Sequence, residues 1–234
     1  MRQIVLDTET TGLEWQQGHR VIEIGCVELV NRRPSGRHFH RYLQPDRKVD
    51  EGALAVHGIT DEFLAGQPRF ADIAAEFIDF VAGAELVIHN AAFDLAFLDA
   101  ELARLAEPSR RMSGLCGCID TLLLARQMHP GQRNSLDALC KRYGVDNSGR
   151  DLHGALLDAK ILSEVYLAMT GGQGALVLGE AEASTVATGA RRRPRRAALL
   201  VPVIRATDVE LELHERALAA VAKASGGRVV FRDL

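Results

Sequence analysis

A mixed-sheet α/β domain followed by a linker and a short tail is what three features of this 234-residue sequence predict. Three strand-like segments open the chain with short links between them. Helical and strand patterns then alternate, and beyond Thr170 the periodicity stops. Strands first and alternating elements afterwards imply helices packed on a sheet that is part antiparallel and part parallel.

Gln3-Ile4-Val5-Leu6-Asp7 reads as the first strand, and Val21 to Leu29, alternating apolar and polar over much of its length, as the second. Arg37 to Leu43 reads as the third, after the turn signal Pro34-Ser35-Gly36, so the three form a meander. Phe70 to Val81 places Phe70, Ile73, Ala74, Phe77, Ile78 and Val81 at helical spacing. Leu86-Val87-Ile88 is a short apolar run suited to a strand buried on both faces. Ala92 to Leu105 is helical, with Asn90 as its cap. Cys118-Ile119-Asp120 predicts one more strand, and Thr121 to Met128 a helix. Ser135 caps a helix to Tyr143 that Gly144 stops, and Gly154 to Met169 is the last helix of the domain.

The domain closes near residue 172. Residues 173–200 are rich in Gly, Ala, Ser and Thr, end in a run from Arg191 to Arg196, and read as a flexible linker. Thr207 caps a helix from Asp208 to about Ala224, Gly226-Gly227 stops it, and Val229-Val230-Phe231 suggests a strand. Residues 201–234 are too few to hold a core alone, which makes them a partner-binding segment.

Composition narrows the function classes. The chain is 47% hydrophobic and 25% charged, ordinary for a soluble protein. Its longest apolar run, Ala197 to Ile204, is too short to span a membrane, and Asp7 and Glu9 interrupt any signal peptide. Four cysteines (26, 116, 118 and 140) do not make a disulfide framework, so a reducing cytoplasm is expected. Residues 1–170 carry a net charge of −6 and residues 171–234 a net +3. An acidic main domain argues against a long duplex-binding surface and fits carboxylates gathered around metal ions.

Three carboxylate signals carry the chemistry. In Asp7-Thr8-Glu9, residues i and i+2 of a strand share a face, and two such anions call for a cation with oxygen ligands, Mg²⁺ or Mn²⁺. Asp-x-Glu at a strand end is also common without a metal. Asp94 falls in the first turn of the helix after the buried strand, where the helix dipole alone favours an acid. That strand's C-terminal end is also where open α/β sheets place ligands. In His153-Gly154-Ala155-Leu156-Leu157-Asp158, the Asp lies beside an apolar helical face and has to be paired or metal-bound. The histidine is either a general base near neutral pH or an idle loop residue. Together the four acids and one histidine are the set that two-metal phosphodiester hydrolysis needs.

Asp7-Thr8-Glu9-Thr10-Thr11-Gly12, His89-Asn90-Ala91-Ala92-Phe93-Asp94 and His153-x4-Asp158 resemble the DEDDh exonuclease superfamily, with its ribonuclease-H-like fold. Ile22-Glu23-Ile24-Gly25, Val56-His57-Gly58-Ile59-Thr60, the stretch Arg133 to Cys140 and the stretch Tyr166 to Gly172 look like the proofreading epsilon subunits of bacterial DNA polymerase III. The resemblance covers residues 1–172 nearly throughout and continues weakly to the C-terminus. It implies a 3′→5′ exonuclease that releases deoxynucleoside monophosphates from a DNA 3′ end. Asp7, Glu9, Asp94 and Asp158 would hold two divalent cations, and His153 would be the base. Asp7, Glu9, Thr10, His57, Asn90 and Asp158 would lie against the terminal nucleotide. Where the family often has Pro-Glu before its His-Gly stretch, this chain has Glu51-Gly52, so Gly52 is carried over as a backbone contact only.

The resemblance also implies partners: the polymerase alpha subunit through the 208–224 helix, the sliding clamp, and a small stabilising subunit known in some members. Gln173-Gly174-Ala175-Leu176-Val177-Leu178 resembles a clamp-docking peptide through Gln173, Leu176 and Leu178, with a chance match in a Gly/Ala/Leu-rich stretch as the alternative. Trp15 is either a base-stacking residue or a partly buried loop anchor. Cys116-Gly117-Cys118 suggests zinc less readily than ordinary thiols. Two rival functions are an RNA 3′-end trimming enzyme of the same superfamily and a mainly structural tether between polymerase and clamp.

Overall fold

The computed structural model describes residues 1–105, 111–150, 152–171 and 206–226. Five strands, β1 (Arg2–Thr10), β2 (Val21–Val30), β3 (Arg33–Tyr42), β4 (Glu85–Ile88) and β5 (Gly117–Asp120), form one sheet in the order β3-β2-β1-β4-β5. The first three are antiparallel, while β4 and β5 run parallel to β1. The helices are α1 (Glu51–His57), α2 (Asp61–Leu64), α3 (Phe70–Val81), α4 (Ala91–Leu102), α5 (Met112–Leu115), α6 (Thr121–Met128), α7 (Leu136–Tyr143), α8 (Ala155–Thr170) and α9 (Asp208–Ala224). The expected mixed α/β architecture is the one observed.

Helices cover both faces of the sheet. Ile4 and Leu6 of β1 and Leu86 and Ile88 of β4 pack in one cluster with Phe77 of α3 and Leu98 of α4. Val5 and Val87 pack in another with Leu139 of α7 and Leu162 and Val165 of α8. Successive strand residues point to opposite faces. Even-numbered residues of β1 therefore face α4, and odd-numbered ones face α8. This parity decides which helix each residue of Asp7-Thr8-Glu9 meets.

Two local expectations are corrected. The β2–β3 turn lies at Asn31-Arg32, with φ of 50° and 62°, and not at Pro34-Ser35-Gly36. Val30 pairs with Arg33 and Leu29 with Pro34, which leaves a two-residue connection. Two central residues at positive φ make the turn whose twist suits a hairpin. Pro34 instead sits on the edge strand, where a missing donor is tolerated. Asn90 precedes α4 in a left-handed conformation (φ 68°) but makes no side-chain cap. Asp120 serves that helix instead, its Oδ2 accepting from the Ala91 N–H at 3.0 Å.

The short helices α1, α2 and α5 and a one-turn 3-10 helix at Trp15–Gln17 carry no readable period. In α1 only His57 is buried. Trp15 is 40% exposed, which leaves both of its readings open.

The chain divides into two units, Met1–Val177 and Leu178–Leu234. In the second, α9 starts with a reciprocal cap between Thr207 and Glu210 and buries none of its residues. The linker, the clamp-like peptide with Gln173, Leu176 and Leu178, and the strand at Val229-Val230-Phe231 lie outside the described residues. Among the described residues no helix is long and apolar enough to cross a membrane.

Candidate active site

Asp7 and Glu9, on the α8 face of β1, line a cleft of about 590 Å³ together with Asn90, Asp94, His153 and Asp158. Glu9, His153 and Asp158 are closest, with one ligand atom from each lying within 4.8 Å of the others. Asp7 and Asp94 line the same cleft outside that tight group. Thr8, on the opposite face, meets α4, and its hydroxyl donates to Asp94 Oδ1 at 2.7 Å.

The start of α8 is brought to the sheet by β2. Gly25 pairs with Asp7 across the β1–β2 ladder. A Cβ at position 25 would lie 2.2 Å from the Ala155 main chain, so only glycine lets α8 begin directly over this point. Glu23, paired with Glu9, sends Oε2 to the Ala155 N–H at 3.1 Å, while its Oε1 meets His40 Nε2 at 2.7 Å. One turn later α8 presents Asp158, which is 2% exposed. The preceding loop is tied down by His153, whose N–H donates to the Val56 carbonyl at 3.1 Å.

Burial, with mutual repulsion behind it, raises the proton affinity of three of these acids. Burial first, then Asp94, Glu9 and Asp158, hold Asp7 well above the usual carboxylate range. Burial, then the charges of Glu23 and Asp158, push Glu9 up to about 8. Burial takes Asp94 to about 7, opposed by the bond from Thr8.

A second pocket of about 400 Å³ adjoins the first and shares Thr8, Glu9 and Phe93 with it. Thr10, Gly52 and His57 line this pocket. The Thr10 hydroxyl is committed to the Gly12 carbonyl at 2.7 Å. His57 accepts at Nδ1 from the Ile59 N–H at 3.0 Å, while its buried Nε2 has no hydrogen-bond partner among the described residues. Burial lowers its proton affinity. Gly52 has open space around its Cα, consistent with a close main-chain approach.

Thr8, Glu23, Asp120 and Arg150 are positioning residues that sequence reasoning passed over. Asp120 bridges two helix starts, because Oδ1 also accepts from the Leu122 and Leu123 N–H groups at 2.8 and 3.1 Å. Arg150 grips Asp158 with both prongs, Nε to Oδ1 at 2.5 Å and Nη2 to Oδ2 at 2.7 Å. Glu23 carried one usable signal, a charge set between Ile22 and Ile24 on a largely apolar strand. Arg150, in a loop, carried none.

The family described as Exonuclease (RNase_T) matches residues 4–166. The chain is 53% identical over 238 residues to DNA polymerase III subunit epsilon of Escherichia coli, covering 99% of this chain and 97% of that one. It is 58% identical over 179 residues to the Pasteurella multocida epsilon subunit (75% of this chain, 70% of that one) and 45% over 226 residues to that of Rickettsia felis (95% and 98%). Among solved structures, Exonuclease X in complex with 5′ overhanging duplex DNA superposes with a TM-score of 0.56 at 26% identity, covering 72% of this chain and 91% of that chain. An exonuclease I–ssDNA complex superposes at 0.63 and 19% identity over 74% and 41%, a likeness of fold. By sequence along nearly its whole length and by fold, the chain belongs to the DNA polymerase III epsilon subunit family and carries that family's exonuclease domain.

Proposed function

We propose that this chain is the 3′→5′ proofreading exonuclease of a replicative DNA polymerase III, removing nucleoside monophosphates from a DNA 3′ end in the cytoplasm. The observation that carries the reading is the convergence of Asp7, Glu9, Asp94, His153 and Asp158 on one cleft from three separate elements and a loop. The donor set suits hard divalent cations, Mg²⁺ or Mn²⁺, and the raised proton affinities of Asp7, Glu9 and Asp94 are a strain that such ions relieve. Asp7, Glu9 and Asp158 would hold two ions directly, with Asp94 completing the set. Bound there, the ions supply charge neutralisation at the scissile phosphate and an acidified water.

The protein's own groups do the rest. His153 Nδ1, 3.6 Å from Asp158 Oδ2, takes the proton of the attacking water. Thr8 fixes Asp94 in place. The adjoining pocket receives the terminal nucleotide, with the unpartnered Nε2 of His57 as a polar contact and Gly52 offering main chain. Thr10 and Asn90 border the nucleotide and its phosphate.

Residues 1–172 form the exonuclease domain, 173–200 a linker carrying the clamp peptide Gln173-x-x-Leu176-x-Leu178, and 201–234 the segment that binds the alpha subunit. Val209, Leu211, Leu213 and Val221 on α9 are exposed apolar side chains, and this uncovered surface supports docking on a partner.

Digestion of 5′-labelled single-stranded DNA and matching RNA with Mg²⁺, for the unmodified protein and Asp7→Ala, tests the reading. A ladder from the 3′ end, faster on DNA and lost in the variant, is expected. Preferential RNA degradation would move the substrate to RNA, and inactivity on both by folded protein would leave the tether role.

A further inference from the structure

A cation of the chain's own already stands among these carboxylates. The Arg150 side chain is 8% exposed and engages both oxygens of Asp158. Its Nη1 donates to Asp137 Oδ1 at 2.7 Å, and Nη2 also donates to His153 Nδ1 at 3.0 Å. The guanidinium thus covers two members of the group Glu9, His153 and Asp158, whose ligand atoms lie within 4.8 Å of one another.

A guanidinium offers donors only, so His153 Nδ1 must be the acceptor, and its lone pair is engaged. A nitrogen in that state cannot take a proton from water. A second cation against the same two Asp158 oxygens would also meet Arg150 charge to charge at short range. Asp137, 55% exposed at the start of α7, gives the guanidinium a carboxylate to keep when it lets go of Asp158.

We propose that Arg150 is an exchangeable placeholder cation. It neutralises Asp158 and idles His153 while the site holds no metal, and a divalent cation must displace it from Asp158 before His153 can act. The inference rests on the metal-dependent reading of the cleft. It prevents a partly assembled site from presenting a free base beside a bare carboxylate, and it makes activation require metal.

A simple structural pin predicts the opposite sign. If Arg150 only fastens its loop to α8, removing it loosens Asp158 and weakens metal binding. If it competes with metal, removing it strengthens binding. The test is direct Mn²⁺ binding, by calorimetry and by electron paramagnetic resonance, to the full-length chain without nucleic acid. Arg150→Gln is expected to bind Mn²⁺ about tenfold more tightly than the unmodified protein, within the usual range of coupling between two ligands. Arg150→Lys, a point charge without the fork, falls between them. Nitrogen NMR of His153 gives a second readout. In the unmodified protein its Nδ1 signal shifts when Mg²⁺ saturates the site, and in Arg150→Gln it starts away from the metal-free position of the unmodified protein.

Equal or weaker Mn²⁺ binding by folded Arg150→Gln overturns the exchange and leaves the metal reading intact. If that variant does not fold, Arg150→Lys and the unmodified protein's His153 signal decide, and a signal unmoved by saturating Mg²⁺ overturns it. Absence of Mn²⁺ binding by the unmodified protein overturns the metal reading itself.

Discussion

Glu23 Oε2 and the main-chain N–H of Ala155 meet at 3.1 Å, so a carboxylate on β2 receives the first turn of the helix that carries Asp158. Glu23 is 2% exposed, and its other oxygen is engaged by His40. Glu23→Ala leaves both partners without their acceptor and is expected to cost about 1–3 kcal/mol. It should also lower exonuclease turnover through Asp158. Glu23→Gln retains an acceptor for Ala155 and should recover most of the stability. Urea denaturation and turnover of the two variants check this, and equal behaviour would remove Glu23 from the positioning role.

Gly25→Ala places a methyl where the Ala155 main chain stands. The start of α8 has to move, and a shift near 1 Å at a reacting group costs roughly 10²-fold in rate. Stability should fall by about 1–3 kcal/mol, as for other overpacked positions. The expected signature is a large loss of kcat in a protein that still melts cooperatively.

Asp120→Ala removes one carboxylate from three main-chain donors, at Ala91, Leu122 and Leu123. Loss of a helix cap costs about 1 kcal/mol, and here two helices are affected. Because α4 carries Asp94, the variant is expected to bind Mn²⁺ more weakly, and calorimetry beside a melting curve separates this from general instability.

The acids of the cleft give metal-free stability a definite pH slope. Glu9 rises from an ordinary value of 4.5 to about 8 on folding, and Asp94 from 3.8 to about 7. Below about pH 4 both states are protonated and there is no penalty. As pH rises, the unfolded chain releases these protons while the folded protein retains them, so stability falls until pH passes about 8. In EDTA the Tm should drop by roughly 5 °C or more between pH 5 and 8, at ~2–4 °C per kcal/mol. Saturating Mg²⁺ should flatten the slope, and a flat profile in EDTA would contradict it.

His153→Ala is expected to lower kcat by about 10²–10⁴, the usual contribution of a positioned base. Mn²⁺ binding should persist through the carboxylates. Unchanged kcat, measured by single-turnover digestion of labelled DNA, would exclude His153 as the base.

Where structure depends on neighbours along the chain, the sequence was legible. Phe70–Val81 follows from periodicity, and Leu136–Tyr143 and Asp208–Ala224 follow from the local caps at Ser135 and Thr207 and the glycines that stop them. The i, i+2 rule puts Asp7 and Glu9 on one face, and the helix patterns mark Asp94 and Asp158, so these four acids are legible without any tertiary contact. Short helices such as α1 escaped because about two exposed turns have no apolar stripe to repeat.

Only the tertiary structure decided how these residues are held. Glu23 and Ala155 are 132 positions apart, and Thr8 and Asp94 are 86 apart. No local pattern encodes such contacts, which arise from sheet order and from Gly25 admitting α8. Arg150 was the least legible, because a loop arginine reads as solvated charge until the fold closes around it. By itself the sequence determined the four acids and the histidine that the cleft gathers, since residue type and period are properties of the chain. The fold decided which carboxylate each cation meets, since that depends on distances set by packing.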